Sequence, residues 1–155
     1  MNDDAPRLVT IGERFSTTLA LPPESITAFA TLVNDLNPLH HDAAYAARSR
    51  FGGLIASGTQ PTAHLMALVA THFSQYAQPL GLEFDIKLKK AVRSGDTLTL
   101  AWQVARAHWK ASLGGDLAWL DGEARNQHGD VVLLGTATVL VMPPEQRTAT
   151  GSATP

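Results

Sequence analysis

The chain of 155 residues contains no cysteine, which excludes a disulfide framework, a thiolate nucleophile and a Cys-ligated zinc. It also lacks an excess of either charge. Twelve basic and 14 acidic residues leave a formal net charge of −2, where a general nucleic-acid binder would carry a basic surplus. An anionic ligand would therefore have to meet a local basic patch. No stretch approaches the ~18 consecutive apolar residues that span a bilayer, and Met1–Arg7 is polar and acidic, without the layout of an export signal. Linkers, internal repeats and low-complexity blocks are absent as well. These absences predict a cytoplasmic protein that binds neither nucleic acid nor membrane.

What is present suffices for a core. Hydrophobic residues make up 45% and charged residues 17%, and the length fits one domain. Residues 1–10 read as a flexible N-terminal segment and 145–155 as a disordered tail, since small polar stretches bury too little apolar surface to offset ordering. The domain is then 11–144.

Within it, Phe15–Leu21 suits a short strand stopped by Pro22-Pro23, and Glu24 to about Asn34 a helix with Ile26, Phe29, Ala30 and Val33 at helical spacing. Pro38 disfavours helical geometry at Asn37 and opens a loop; Asp42 is placed to cap a short helix over Ala43–Ser49. A glycine-rich connection, Phe51–Gly58, leads to a longer helix, Gln60 to Ala77. Pro61 sits in its first turn, where a missing N–H costs nothing. Its apolar residues nearly encircle it, which predicts a helix wrapped on most sides. The second half can wrap it. Leu82, Phe84, Ile86 and Leu88 alternate with charged residues; Leu98, Leu100, Trp102 and Val104 repeat the pattern. Leu117–Asn126 and Val131–Met142 are two further strands joined at Gln127–Asp130. Helices followed by long antiparallel strands predict an α+β fold: one sheet curled around one central helix.

Asp35 and His40 stand five residues apart, ~140° around a continuous helix, but Pro38 breaks that geometry and lets a loop bring them together. A carboxylate beside an imidazole can hold and deprotonate water. The bland alternative is that Asp35 caps turn amides while His40 packs against the next helix. Ser57-Gly58-Thr59 precedes the long helix, where unpaired N–H groups carry partial positive charge. Gly58 would let a carbonyl approach its amide, as an oxyanion requires; the competing reading is a helix cap and a turn. Lys87, Lys89, Lys90 and Arg93 could meet phosphates or simply protect an edge strand. His41 reads as a solvent-facing neighbour of the Asp42 cap.

The run Asp35-Leu36-Asn37-Pro38-Leu39-His40, followed by Phe51-Gly52-Gly53-Leu54-Ile55-Ala56-Ser57-Gly58, resembles the MaoC-like dehydratases and R-specific enoyl-CoA hydratases, with their D-x-N-P-x-H motif and glycine-rich segment. Val92–Leu98 and Arg125–Val132 are similar to that family too, so the resemblance covers roughly Phe15 to Met142. It implies the hotdog fold and a hydro-lyase adding water to a trans-2-enoyl thioester. In that scheme Asp35 is the general base, His40 holds the water and moves the proton, Gly58 polarises the thioester carbonyl, and Ser57 and Asn37 support the site. No metal or redox cofactor is implied, and coenzyme A enters only as part of the substrate. The family often has Gly before the aspartate, where Asn34 stands here, and some members have His in the place of Ser57. The alternatives on this fold are an acyl-CoA thioesterase, which predicts a carboxylate absent from Gln60–Ala77, and a non-catalytic acyl-CoA-binding subunit, which predicts erosion of Asp35 or His40. A double hotdog would need nearly twice this length, so a homodimer with sites near its interface is expected.

Overall fold

The computed structural model describes residues 4–146; the rest of the two expected tails, 1–3 and 147–155, lies outside the described residues. The elements run β1 (Arg14–Ala20), α1 (Pro23–Leu32), α2 (Ala43–Arg48), α3 (Thr59–Phe73), β2 (Gln78–Leu88), β3 (Thr97–Lys110), β4 (Gly115–Arg125) and β5 (Val131–Met142). The strands form one antiparallel sheet in the order β1-β3-β4-β5-β2, as the α+β reading expected. In β3 the alternation is literal: Leu98, Leu100, Trp102 and Val104 are buried while Thr97 and Thr99 are exposed, because successive side chains leave a strand on opposite faces. The strand then runs six residues beyond the expected pattern. A bulge between Val104 and Arg106 shifts the register there, and a bulge interrupts the very alternation by which a strand is recognised. No helix among the described residues is long and apolar enough to cross a membrane.

The long helix is shorter and less enclosed than its composition suggests. It stops at Phe73, where the amides of Tyr76 and Ala77 turn back onto the Phe73 carbonyl. Leu65, Val69 and Phe73, four apart, are buried against the sheet, whereas Met66, Ala67 and Ala70 remain exposed. One sheet curls over one side of a helix only, so the expectation of burial on most sides fails for a single chain. Trp102 seats the buried side. Its Nε1–H donates to the Leu65 carbonyl at 2.8 Å, and its ring lies across Gly122, where an added Cβ would come within 2.4 Å of it. The small residues of β4 thus make room for a large one on β3. The other two tryptophans lie elsewhere: the Arg7 guanidinium covers Trp109 at 4.2 Å and that of Arg106 covers Trp119 at 4.0 Å.

The expectation of a flexible segment over residues 1–10 is corrected for residues 7–9. Asp116, fully buried at the start of β4, accepts the amides of Arg7, Leu8 and Val9 at 2.6–3.0 Å, and Val9 itself joins the core. A buried carboxylate requires such donors, and three successive amides supply them without any side-chain signature. Asp116→Ala is expected to destabilise the protein by ~1–3 kcal/mol, the cost of leaving the buried Val9 amide unpaired, while the amides of Leu8 and the exposed Arg7 can turn to water. Asp116→Asn, which keeps one acceptor oxygen, should lose less in urea unfolding.

Candidate active site

α1 ends in a backbone motif that aims the following residue. Asn34 adopts a left-handed conformation, φ 58°. Its amide bonds to the Thr31 carbonyl at 3.1 Å, and that of Asp35 reaches back to Ala30 at 2.8 Å. This pairing satisfies carbonyls that a helix end leaves open, and Asn is the usual substitute for Gly at its left-handed position. Pro38 then enforces extended ψ, 122°, at Asn37 and starts a single 3₁₀ turn through His40. The Asn37 side chain accepts the Leu39 amide at 3.1 Å, and its own amide donates to Asp35 Oδ1 at 3.2 Å. Asn37 therefore shapes the loop. Thr27 Oγ1 anchors the far end by donating to the His40 carbonyl at 3.0 Å.

The result brings together the two residues that the loop was expected to join. His40 Nε2 lies 3.2 Å from Asp35 Oδ2, with the ring buried and the carboxyl partly open. The other ring nitrogen, Nδ1, is 2.7 Å from the Ile55 carbonyl. A carbonyl can only accept, so Nδ1 carries a hydrogen, and in the neutral ring Nε2 presents a lone pair to Asp35. The contact is stable only when a proton lies between the two, on the imidazole or the carboxyl, or when a donor such as water bridges them. Ser57 bears on which. Its Oγ is 2.7 Å from Thr59 Oγ1; with Thr59 donating, the Ser57 proton is free for the Asp35 carboxyl. That hydroxyl first, and the Asn37 amide and the two neighbouring imidazoles after it, hold the Asp35 carboxyl below its ordinary range despite the opposing effect of burial.

A cavity of about 320 Å³ opens beside the pair, lined by His40, Phe51, Ile55, Gly58, Pro61, Leu88 and Leu133 among others. Asp35, Asn37 and Ser57 are not in its lining; Asp35 is linked to it through His40. The Gly58 amide, just before α3, finds no acceptor among the described residues. A side chain at Gly58 would meet Leu88 Cδ1 at 3.0 Å, so the close approach of α3 to Leu88 favours a glycine here. The four basic residues divide. Lys89 and Lys90 line the cavity, whereas Lys87 and Arg93 do not. Lys90 pairs with Asp130 at 2.6 Å and Lys87 with Asp85 at 3.7 Å, while the Arg93 guanidinium donates to the Phe51 carbonyl. The Lys89 ammonium alone of the four side chains has no ionic or carbonyl partner among the described residues, its backbone amide being held by the Val132 carbonyl. Ile55 carries no signal in the sequence, because its contribution is a backbone carbonyl, and Leu88 and Leu133 read there only as strand residues. His41, expected to face solvent, instead brings its Nε2 to 2.6 Å from the Asp35 carbonyl.

A family model described as the MaoC like domain matches residues 7–114, more than half of the chain. The chain belongs to the MaoC-like domain family. Its fold is the hotdog, shared with solved R-hydratases. The unliganded R-hydratase PhaJ1 from Pseudomonas aeruginosa superposes with a TM-score of 0.77 at 24% identity, over 95% of this chain and 91% of that one. The (R)-hydratase from A. caviae involved in PHA biosynthesis gives 0.76 at 24% identity, over 88% and 98%. A MaoC-like dehydratase from Rhodospirillum rubrum gives 0.74 at 28% identity, over 89% and 96%. No curated protein sequence matches the chain.

If the Ser57 hydroxyl holds Asp35 down, its removal releases it. In Ser57→Ala the carboxyl should titrate at higher pH than in the wild type, nearer the ordinary carboxylate range. The midpoint followed by ¹³C NMR of the Asp35 carboxyl measures this, and an unmoved midpoint would refute the assignment.

Proposed function

We propose that this MaoC-like protein is an R-specific 2-enoyl-thioester hydratase, running as a 3-hydroxyacyl-thioester dehydratase in reverse. The observation that carries the reading is the Asp35–His40 contact of 3.2 Å beside a cavity that His40 and Gly58 both line. In the hydration direction Asp35, held as carboxylate, takes a proton from a water. The hydroxyl adds to the β-carbon of the enoyl thioester, and the displaced electron pair moves through the α-carbon to the carbonyl oxygen. The Gly58 amide, at the positive end of α3, stabilises that oxyanion. The α-carbon then takes a proton from Nε2 of the imidazolium, whose Nδ1–H stays on Ile55. Asp35 returns its newly acquired proton to Nε2 across the short contact, and the pair is restored. The R configuration is supported by the hydratases that share this fold.

The substrate is read as an acyl-coenzyme A thioester, with no further cofactor. Of the basic residues expected to meet its phosphates, Lys89 is the best placed, since it lines the cavity and its side chain has no competing partner among the described residues; Lys90, Lys87 and Arg93 are already engaged. Two readings on the same fold are less well supported. A thioesterase would need a carboxylate on the central helix, and α3 carries no Asp or Glu. A non-catalytic subunit would have no use for an Asp–His contact of this geometry.

Wild-type protein should hydrate crotonyl-CoA or a longer enoyl-CoA, seen as loss of the conjugated thioester absorbance. Asp35→Asn and His40→Ala should each lower kcat at least ~100-fold with the fold retained, the usual size of a general acid–base contribution. Inactivity of the wild type on short, medium and long enoyl-CoAs would defeat the reading.

The uncovered side of α3 supports a homodimer. Met66, Ala67 and Ala70 face Pro79, Gly81 and Phe84 across an apolar groove. The neighbouring β2 is a sheet edge with Leu80 and Leu82 about half exposed. An apolar helix face beside an open strand edge is suited to a second copy of itself, which would cover both. Sedimentation should give twice the chain mass of 16.5 kDa, and Ala67→Glu should return the protein to a monomer. A wild type that sediments as a monomer at micromolar concentration would overturn the assignment.

A further inference from the structure

His41 stands beside the expected catalytic histidine, yet its ring points back into the loop rather than to solvent. Nε2 approaches the Asp35 carbonyl oxygen at 2.6 Å across six residues, and the residue is half-buried. Because a carbonyl only accepts, the imidazole donates here, and both the neutral Nε2–H tautomer and the imidazolium can do so. The bond therefore does not depend on the ring's charge.

Its position matters because of what else holds Asp35. The Asp35 amide is tied to Ala30 and its carboxylate meets the Asn37 amide and His40. The carbonyl is the remaining polar handle, and it belongs to the peptide that leads into the turn carrying Asn37 and His40. Rotation of that peptide would swing the Asn37 amide off the carboxylate and change the Asp35–His40 separation. Thr27 restrains the same loop only at its far end, through the His40 carbonyl.

We propose that His41 is a positioning residue, whose ring N–H clamps the Asp35 carbonyl and thereby holds the Asp35 carboxylate against His40. Its effect on turnover rests on the hydratase reading above; its effect on the loop does not. The clamp touches neither substrate nor the reacting atoms, so its loss should appear in kcat and leave KM nearly unchanged.

Two variants separate the hydrogen bond from ring packing. His41→Phe keeps an aromatic ring without a donor, and His41→Gln keeps an N–H donor without the ring. With crotonyl-CoA, His41→Phe is expected to lose about tenfold to a hundredfold in kcat, the scale on which an ångström of misplacement acts, with KM within about twofold. His41→Gln should recover most of that loss. Hydrogen exchange at the Asn37 amide, followed by NMR, should quicken in His41→Phe and stay near wild type in His41→Gln. A folded His41→Phe with wild-type kcat and Asn37 exchange overturns the proposal, as does a His41→Gln no better than Phe in both. If His41→Phe fails to fold, slowed turnover together with quickened Asn37 exchange in folded His41→Gln overturns it, and wild-type values of both support it. Should the wild type hydrate no enoyl thioester, the hydratase reading fails while Asn37 exchange still decides the clamp.

Discussion

With its N–H on the Leu65 carbonyl and its ring laid across Gly122, Trp102 determines how deeply α3 lies on the sheet. An indole buries ~150–250 Å² and cannot be accommodated unless the facing strand gives way, which the small side of β4 does. That seating propagates along a stiff helix to its start, where Gly58 comes against Leu88 and lines the cavity. The candidate oxyanion donor is thus located by core packing rather than by any polar interaction of its own.

The other half of the site is located by backbone hydrogen bonds. The left-handed Asn34, the Pro38 turn and the Thr27 hydroxyl hold a short loop in one shape, and Asp35 and His40 meet as a consequence. Ile55 decides the chemistry of that meeting. By accepting from Nδ1 it leaves Nε2 as the only nitrogen that can exchange a proton with Asp35 or with a ligand. The Ile55 carbonyl comes from the glycine-rich connection, which pairs with the chain at Arg93 through an isolated bridge. The packing of α3 and the folding of the loop therefore converge on one cavity.

Much of this was legible. Alternation marked the strands because one face of each is buried, and β5 runs from Val131 to Met142 as the pattern indicates. The pairing of Asp35 with His40 followed from Pro38, whose steric effect is local. What escaped was carried by backbone atoms or by residues distant in the chain. The bulge after Val104, the amides of residues 7–9 on Asp116, the Ile55 carbonyl and the bond from His41 to the Asp35 carbonyl have no side-chain signature. The four basic residues looked equivalent in sequence, and only their neighbours in space, Asp85, Asp130 and the Phe51 carbonyl, distinguish Lys89 from the rest. The apolar surround of the long helix predicts burial on most sides, and the sheet of this chain covers only the side that carries Leu65, Val69 and Phe73.

Short stretches of sequence suffice for the residue types that could do the chemistry and for the local backbone that presents them: a proline-broken loop with an acid and an imidazole, a glycine before a helix, strands with one apolar face. Such features depend on steric preferences over a few residues and on periodicity, both of which are properties of short segments. The tautomer of His40, the protonation bias of Asp35, which of the two cavity lysines lacks an ion pair among the described residues and which side of α3 stays open all come from the packing in three dimensions. Each of these depends on hydrogen bonds, charges and contacts between atoms far apart in the chain, whose distances exist only once the sheet has closed over the helix.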